Sequence, residues 1–424
     1  MAKKKYEWSF DCPPPLEQHS LAKHDILKAY LIRYIQTLVS HPSQEELKLT
    51  LIDGFSGGGV YSHNDSKEII YGSPLIMLDA MAEASVSINR KRRKPIKFNI
   101  HYFFIDNDKN ACICLKETLK SKGYGHLIGE SIFVLESSFQ DKADTIIEFI
   151  NKKSRARHAI FLLDQYGYKE VPVPLIKKIL YSSLKSEIIL NFNVDSLLTY
   201  ISDKKDLAQT LLNAIGTPHA LKGRTIEDIK SSTKDWRLYI QSCLYRDLVL
   251  NCGASYYTRF FIRSPEGHGD YWLVHLSQHP KARDVMTEIH WEKNNHFIHY
   301  GGAGLDMFMT GYLPQLDNNY TKQAEFDALY FDETAKEKSI EELKRDIVRI
   351  INNDSVTFEK LFIVTCNNSP ASAKIYKEAI AKLIEYKEIE VVSEQGRKRL
   401  SANSIKASDI ITKHRQSSIL IFTF

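Results

Sequence analysis

Nowhere in the 424 residues do eighteen apolar residues run together, so no helix of this chain is expected to span a bilayer. Cysteine is scarce: Cys12, Cys112, Cys114, Cys243, Cys252 and Cys366 lie too scattered for a zinc knuckle or a redox pair. We expect all six reduced, in packing roles, in a cytosolic protein. Internal repeats and low-complexity tracts are absent, which excludes a repeat architecture. The amino-terminal Met1-Ala-Lys-Lys-Lys-Tyr6 carries charge with no apolar stretch behind it, so a secretory leader is not expected. Neither sign of charge dominates. A net charge of +5 permits a nucleic-acid partner without demanding one. The densest basic run, Arg90–Lys94, reads equally as a solvated loop or a phosphate contact.

What is present is a core-forming share of apolar residues, 43%, in a length that suits two or three domains. Residues 18–39 place Leu21, Ile26, Leu27, Tyr30, Leu31 and Ile35 near helical spacing. Strand-like runs follow at 48–53, 98–105, 132–135, 158–163 and 187–192. Helical stretches separate them, one opening at Gly72-Ser73-Pro74 with Ser73 as its N-cap. This alternation predicts a Rossmann-like, doubly wound α/β sheet. Residues 196–250 are polar and helical, the pattern of an insertion, and 256–263 with 271–276 read as a hairpin closing the sheet edge around a turn at 264–269. From about residue 335 the texture changes. Helices at 339–352, 357–364 and 371–386 precede Ile389–Val392, a basic turn and a strand over 418–424, the layout of a winged helix. We therefore expect domains at 1–334 and 335–424. Arg397, Lys398 and Arg399 in the wing, and Lys374 and Lys377 on the third helix, are candidate nucleic-acid contacts.

Open parallel sheets bind ligands beyond the carboxyl ends of their strands. Three of the expected strands end on an acid: Asp53, Asp106 and Asp164. The first runs into Leu49–Tyr61, LTLIDGFSGGGVY, which alone reads as a tight turn or as backbone bared for a bulky ligand. Asp106 suits both hydroxyls of an adenosine ribose, or the cap of the helix after it. Three carboxylates would also suit magnesium in a hydrolase. The glycines favour an organic ligand instead, and the pattern is not the dehydrogenase G-x-G-x-x-G.

Asp53-Gly-Phe55-Ser-Gly57-Gly-Gly59 resembles motif I of S-adenosylmethionine-dependent methyltransferases that act on exocyclic amino groups. In those enzymes the fourth strand ends in Asp-Pro-Pro-Tyr; here it ends in Asp164-Gln-Tyr166-Gly167, without the prolines and with the tyrosine one place early. A broader resemblance covers nearly the whole chain. Trp8, His19-Ser-Leu-Ala-Lys-His24, ILKAYL, IDGFSGGGVY, YGSPL, LLDQYGY, SEIILNF and YWLVHLSQHPKARDVM, in this order, are similar to the three-Cys-motif partner protein family. These are methyltransferase-like proteins with a C-terminal winged helix, named for a neighbouring three-cysteine, radical-enzyme-like protein. Their fourth-strand motif is usually Asp-Pro-Tyr-Gly, from which Gln165 departs.

The resemblance implies S-adenosylmethionine as cofactor, a loop of Asp53, Phe55, Gly57 and Gly59 to hold it, and Asp106 for its ribose. It implies Asp164 and Tyr166 as the catalytic motif, and puts Lys23 where amino-methyltransferases bring a residue to the methionine carboxylate. On the residues alone, Lys23 also reads as a snorkelling surface lysine. The expected function is methylation of an exocyclic amino group of DNA or RNA, adenine first, flipped out of any duplex. The alternative is a non-catalytic nucleotide-binding module that recruits a three-cysteine-motif protein. His275, His279, His290, His296 and His299 crowd one span, but in no metal-ligand spacing, so no metal site is expected. Gly301–Gly304 lacks a strand before it and reads as a loop.

Overall fold

The computed structural model describes residues 6–414 except 11, 17, 64, 65, 67, 154–157, 183, 184, 234, 235, 263–270, 294–296, 301, 302, 306–327, 330, 352 and 353. The turn at 264–269, the strand expected over 418–424, and the side chains of His296 and His299 lie outside the described residues. Two compact units emerge, one of the residues up to 298 and one of 299–309 with the residues from 324 onward.

In the first unit, β1 (Glu46–Asp53), β6 (Ala159–Asp164) and β7 (Ser186–Asn193) are buried along almost their full length. That is the mark of parallel strands covered on both faces. With β4 (Lys97–Asp106), β5 (Ile132–Glu136), β8 (Tyr256–Ile262) and β9 (Tyr271–Ser277), they form a sheet in the order β5-β4-β1-β6-β7-β9-β8. Pairs from β5 to β7 are parallel, and β9 is antiparallel to both its neighbours. The expected hairpin is present, with β9 between β7 and β8, but it does not close the sheet edge: Phe297 and Ile298 pair with Ile262 and Phe261 on the outer side of β8. Its Trp272 is fully buried and stacks on Phe192 at 5.5 Å. Counted along the chain as seven strands, this is order 3-2-1-4-5-7-6, a doubly wound sheet with an antiparallel hairpin.

From β1 the chain winds outward through α2 (Ser73–Asn89) and α3 (Lys109–Ser121), then returns through α4 (Phe139–Lys153) and α5 (Val173–Ser182). Right-handed crossovers place the two pairs on opposite faces. The switch of direction opens a crevice between the carboxyl ends of β1 and β6. Helix α1 (Gln18–Leu38) packs on α2 and on α10 (Pro280–Lys293). Helices α6 (Val194–Asp203), α7 (Lys205–Ile215), α8 (Ile226–Ser232) and α9 (Trp236–Cys252) fill the helical insertion. Since α9 packs on α5, the segment serves as the crossover from β7 to β8.

Two local features differ from the sequence reading. A hairpin of β2 (Val60–Ser62) and β3 (Ile69–Tyr71) stands between the glycine loop and α2. Its Ser62 also bonds to Pro14 and Leu16, tying the amino-terminal segment alongside. Gly72, not Ser73, is the N-cap of α2; Ser73 is its first helical residue and turns its hydroxyl elsewhere.

In the second unit, helices Glu333–Ile351, Phe358–Thr365 and Ala373–Glu385 pack with a three-stranded sheet, ordered Val356–Thr357, Ile410–Lys413, Ile389–Val392. This is a winged helix. Thr357 and Ser372 cap the second and third helices through their hydroxyls.

The glycine loop is tightly packed. Gly59 has φ +72° and a methyl there would lie 2.6 Å from Leu115. Gly123, at φ +84°, faces open space. Gly59→Ala should cost ~2–4 kcal/mol of stability, from left-handed strain plus overpacking. Gly123→Ala should cost only the strain, about 1–2 kcal/mol. Urea unfolding of both variants checks the difference.

Candidate functional site

Asp53, Asp106 and Asp164 close β1, β4 and β6, three adjacent strands in the order β4-β1-β6. The structure therefore brings together the three acids picked out by sequence, and β5 adds a fourth strand-end acid, Glu136. Asp53 is wholly buried. It accepts from the Ser73 hydroxyl at 2.6 Å and from the Phe55 amide at 3.1 Å. Burial lifts its carboxyl from the ordinary 3.8 to about 7; the Ser73 and Phe55 bonds oppose the rise, and the nearby Asp164 and Asp106 charges add to it.

Asp106 accepts the Gly57 amide at 2.9 Å and the Asp108 amide at 2.9 Å, one on each oxygen. The helix cap is supplied instead by Asp108, which accepts from Asn110 and Ala111. Asp106 thus shapes the glycine loop from the neighbouring strand. Gly57 and Gly59 both adopt positive φ. The Trp8 ring lies over Gly57 and Gly58, where any Cβ would fall within 3 Å of it, and packs edge-on against Tyr61 at 5.2 Å. Beside it opens a cleft of about 1030 Å³, lined by Tyr6, Trp8, Pro14 and Asn107–Asn110.

Asp164 carries the second half of the site. Lys23 reaches down from α1 and bonds both of its oxygens, at 2.8 and 2.7 Å. The pair is largely screened, with the lysine side chain 12% and the aspartate 31% exposed. Lys23 is thus placed inside the site, not snorkelling on the surface. Its neighbour His24 is held neutral: burial first, then the Lys23 charge, lower its pKa to about 4, with Asp164 opposing. His24, Lys23, Ser73, Asp164 and Asn191 line a cavity of about 20 Å³, room for one water. Within it His24 Nδ1 and Asn191 Oδ1 have no partner among the described residues.

Gln165, where the related motifs have proline, is fully buried. Its Oε1 accepts the Val171 amide at 3.1 Å, and its backbone oxygen accepts Asn191 Nδ2 at 3.5 Å. Hydrogen bonds here supply the stiffness a proline ring would give. Tyr166 stands outward, 45% exposed, directly after it. His24 and Asn191 were not singled out from sequence, since no spacing marks them. Ser73 reads in the sequence first as a helix start and only secondarily as a pocket residue.

His275 is buried against Tyr30 and Glu187, each 3.1 Å from its Nε2. His290 stacks on Phe260. No group of three metal-ligating side chains occurs among the described residues. Five cysteines are buried packing residues; Cys12 is exposed. In the second unit, Arg397 and Lys374 are exposed. Lys398 pairs with Glu390 at 3.2 Å, and Lys377 lies 5.2 Å over the Phe358 ring. Arg399 is turned onto the buried Asp409, at 2.8 and 3.0 Å.

Residues 311–396 match the family model described as a GMT-like wHTH domain. No curated protein matches the chain. Among solved structures, a human methyltransferase 10 domain containing protein is 10% identical, with 60% of this chain and 83% of that one covered, at a TM-score of 0.25. A protein of Methanococcus maripaludis, described as an S-adenosyl-L-methionine-dependent methyltransferase, is 12% identical over 66% and 97%, at 0.25. One described as an O-methyltransferase of Klebsiella pneumoniae is 12% identical over 58% and 80%, at 0.26.

The raised Asp53 carboxyl carries a pH signature. Between 3.8 and about 7 the folded chain keeps a proton that the unfolded chain has lost. Stability attributable to this group therefore falls as pH rises, by about 1.4 kcal/mol per unit at most, and levels off above that window. Asp53→Asn should remove the slope. Urea unfolding of both proteins from pH 4 to 8 checks it.

Proposed function

We propose that the first unit binds S-adenosylmethionine and methylates an exocyclic amino group of a nucleic-acid base, adenine being the first candidate. The observation that carries this reading is the meeting of Asp53, Asp106 and Asp164 at the switch point of the sheet, beside a loop whose glycines bare its backbone. Asp106 is suited to the ribose hydroxyls, since it is a carboxylate at the end of β4 directly beside the glycine loop. Phe55, Gly57 and Gly59 would line the same seat, and Lys23 would meet the methionine carboxylate.

When bound, the cofactor supplies a methyl carbon activated by its sulfonium. The protein's part is positioning. Asp164 would accept a proton of the acceptor's amino group and the Gln165 carbonyl the other, turning the nitrogen lone pair towards the methyl. The exposed Tyr166 ring offers a face on which a base stacks. Methylation forms the C–N bond, breaks the C–S bond and releases the surplus amino proton to solvent.

The order of motifs along nearly the whole chain supports placing it with the three-Cys-motif partner proteins, with a three-cysteine-motif protein as partner. From the change of sequence texture near residue 335 we divide it at 1–334 and 335–424, a later boundary than that of the two compact units. The winged helix supports a DNA or RNA partner, met by Arg397, Lys398, Lys374 and Lys377; Arg399 would act by holding the wing. Among the described residues no helix is long and apolar enough to cross a membrane, and the cysteine usage suits the cytoplasm.

Titration calorimetry with S-adenosylmethionine and transfer of a labelled methyl group to single-stranded DNA and RNA test the reading. Asp106→Ala should weaken cofactor binding by roughly tenfold or more, the loss of bonds from a charged acceptor. Asp164→Asn should retain binding and lose about a hundredfold or more in transfer. A protein that takes up no cofactor is not this enzyme.

A further inference from the structure

The Lys23–Asp164 pair conflicts with the chemistry just assigned to Asp164. An amino acceptor needs the aspartate as a hydrogen-bond acceptor, yet the lysine ammonium already bonds both carboxylate oxygens, at 2.7 and 2.8 Å. Lys23 donates where the substrate must donate. The pair is also partly desolvated, and removing a cation from a screened carboxylate is costly unless another partner takes it. The geometry supplies one. Lys23 and Ser73 line the same small cavity, and Ser73 is the first helical residue of α2. Its hydroxyl is spent on Asp53, and the amino end of a seventeen-residue helix favours an anion beside it. An anion seated at the start of α2 would thus give the ammonium, on its flexible four-carbon stem, a second partner in place of Asp164.

We propose that Lys23 exchanges partners during the reaction: in the free protein it occupies the acceptor's seat on Asp164, and the carboxylate of the bound cofactor draws it off, so that the acceptor site opens only once the cofactor is in place. The inference rests on the cofactor reading above. Lys23 is a positioning residue here, one that decides the order of binding. The exchange keeps charges matched at each stage. Before binding, the ammonium faces Asp164; afterwards it faces the incoming carboxylate, and Asp164 is left for an amino donor. Neutral His24 beside the pair contributes no competing cation at neutral pH. The arrangement would also keep a base from settling against Asp164 when no methyl is available to transfer.

Two ligands separate the exchange from simple cofactor binding. S-adenosylhomocysteine carries the amino-acid carboxylate; 5′-methylthioadenosine has the same nucleoside and thioether without it. In crystals of the full chain with S-adenosylhomocysteine, Lys23 should leave Asp164 and bond the ligand carboxylate. With 5′-methylthioadenosine it should remain on Asp164. By calorimetry, Lys23→Met should weaken S-adenosylhomocysteine by ~10-fold, the loss of one charge-assisted bond, and leave 5′-methylthioadenosine within about twofold. Lys23 still on Asp164 in the S-adenosylhomocysteine crystal overturns the proposal, as does an equal loss for both ligands in the variant. If the wild-type chain binds neither ligand, the cofactor reading fails and the exchange fails with it.

Discussion

Three carboxylates placed at adjacent strand ends repel one another, and the site depends on how that repulsion is met. Each acid has been given a different kind of donor. Asp53, the deepest, is held by a hydroxyl and an amide, and burial raises its pKa to about 7. Asp106 takes two backbone amides, one of them from the glycine loop, so charge and loop shape are fixed together. Asp164, nearest to solvent, takes a full cation. The gradient from neutral donors in the interior to an ion pair near the surface follows the cost of burying charge.

The same gradient explains the roles assigned to the acids. A carboxyl that titrates near neutrality and is bonded by its own scaffold suits structure, and Asp53 binds β1, the glycine loop and α2 into one piece. A carboxylate that accepts a loop amide fixes the shape of that loop, as Asp106 does at Gly57. One whose partner is a flexible lysine can change partners. Gln165 belongs to this picture as well. Its buried amide ties residues 165 and 171, with Asn191 behind it, and so stiffens the turn after Asp164.

Much of this was legible in the sequence. The strand-end acids and the glycine loop were visible because a parallel α/β alternation forces ligand chemistry to the carboxyl ends, and because glycine at positive φ is hard to replace. The strand order was only partly legible: 256–262 and 271–277 announce a hairpin, but no local signal says that the second strand inserts between β7 and the first. The Lys23–Asp164 pair, 141 residues apart, has no periodicity to betray it. Ser73 was hidden by its own plausibility as a cap, since Ser-Pro at a helix start normally reads that way. Arg399 looked like a basic wing contact because composition cannot show that Asp409 lies buried beneath it.

Helix α1 is what makes the lysine's position a fixed feature. Seven residues after Lys23, on the same apolar stripe, Tyr30 is fully buried and bonds Glu187 and His275. Those residues lie towards the amino end of β7 and on β9, while Lys23 meets β6 at its carboxyl end. The helix is therefore pinned by polar contacts near both ends of the sheet, with Ile26, Leu27 and Leu31 buried between them. A helix held this way has little freedom to slide or rotate. Any relief of the Lys23–Asp164 pair must then come from the lysine side chain alone, which is the kind of motion a small ligand can drive.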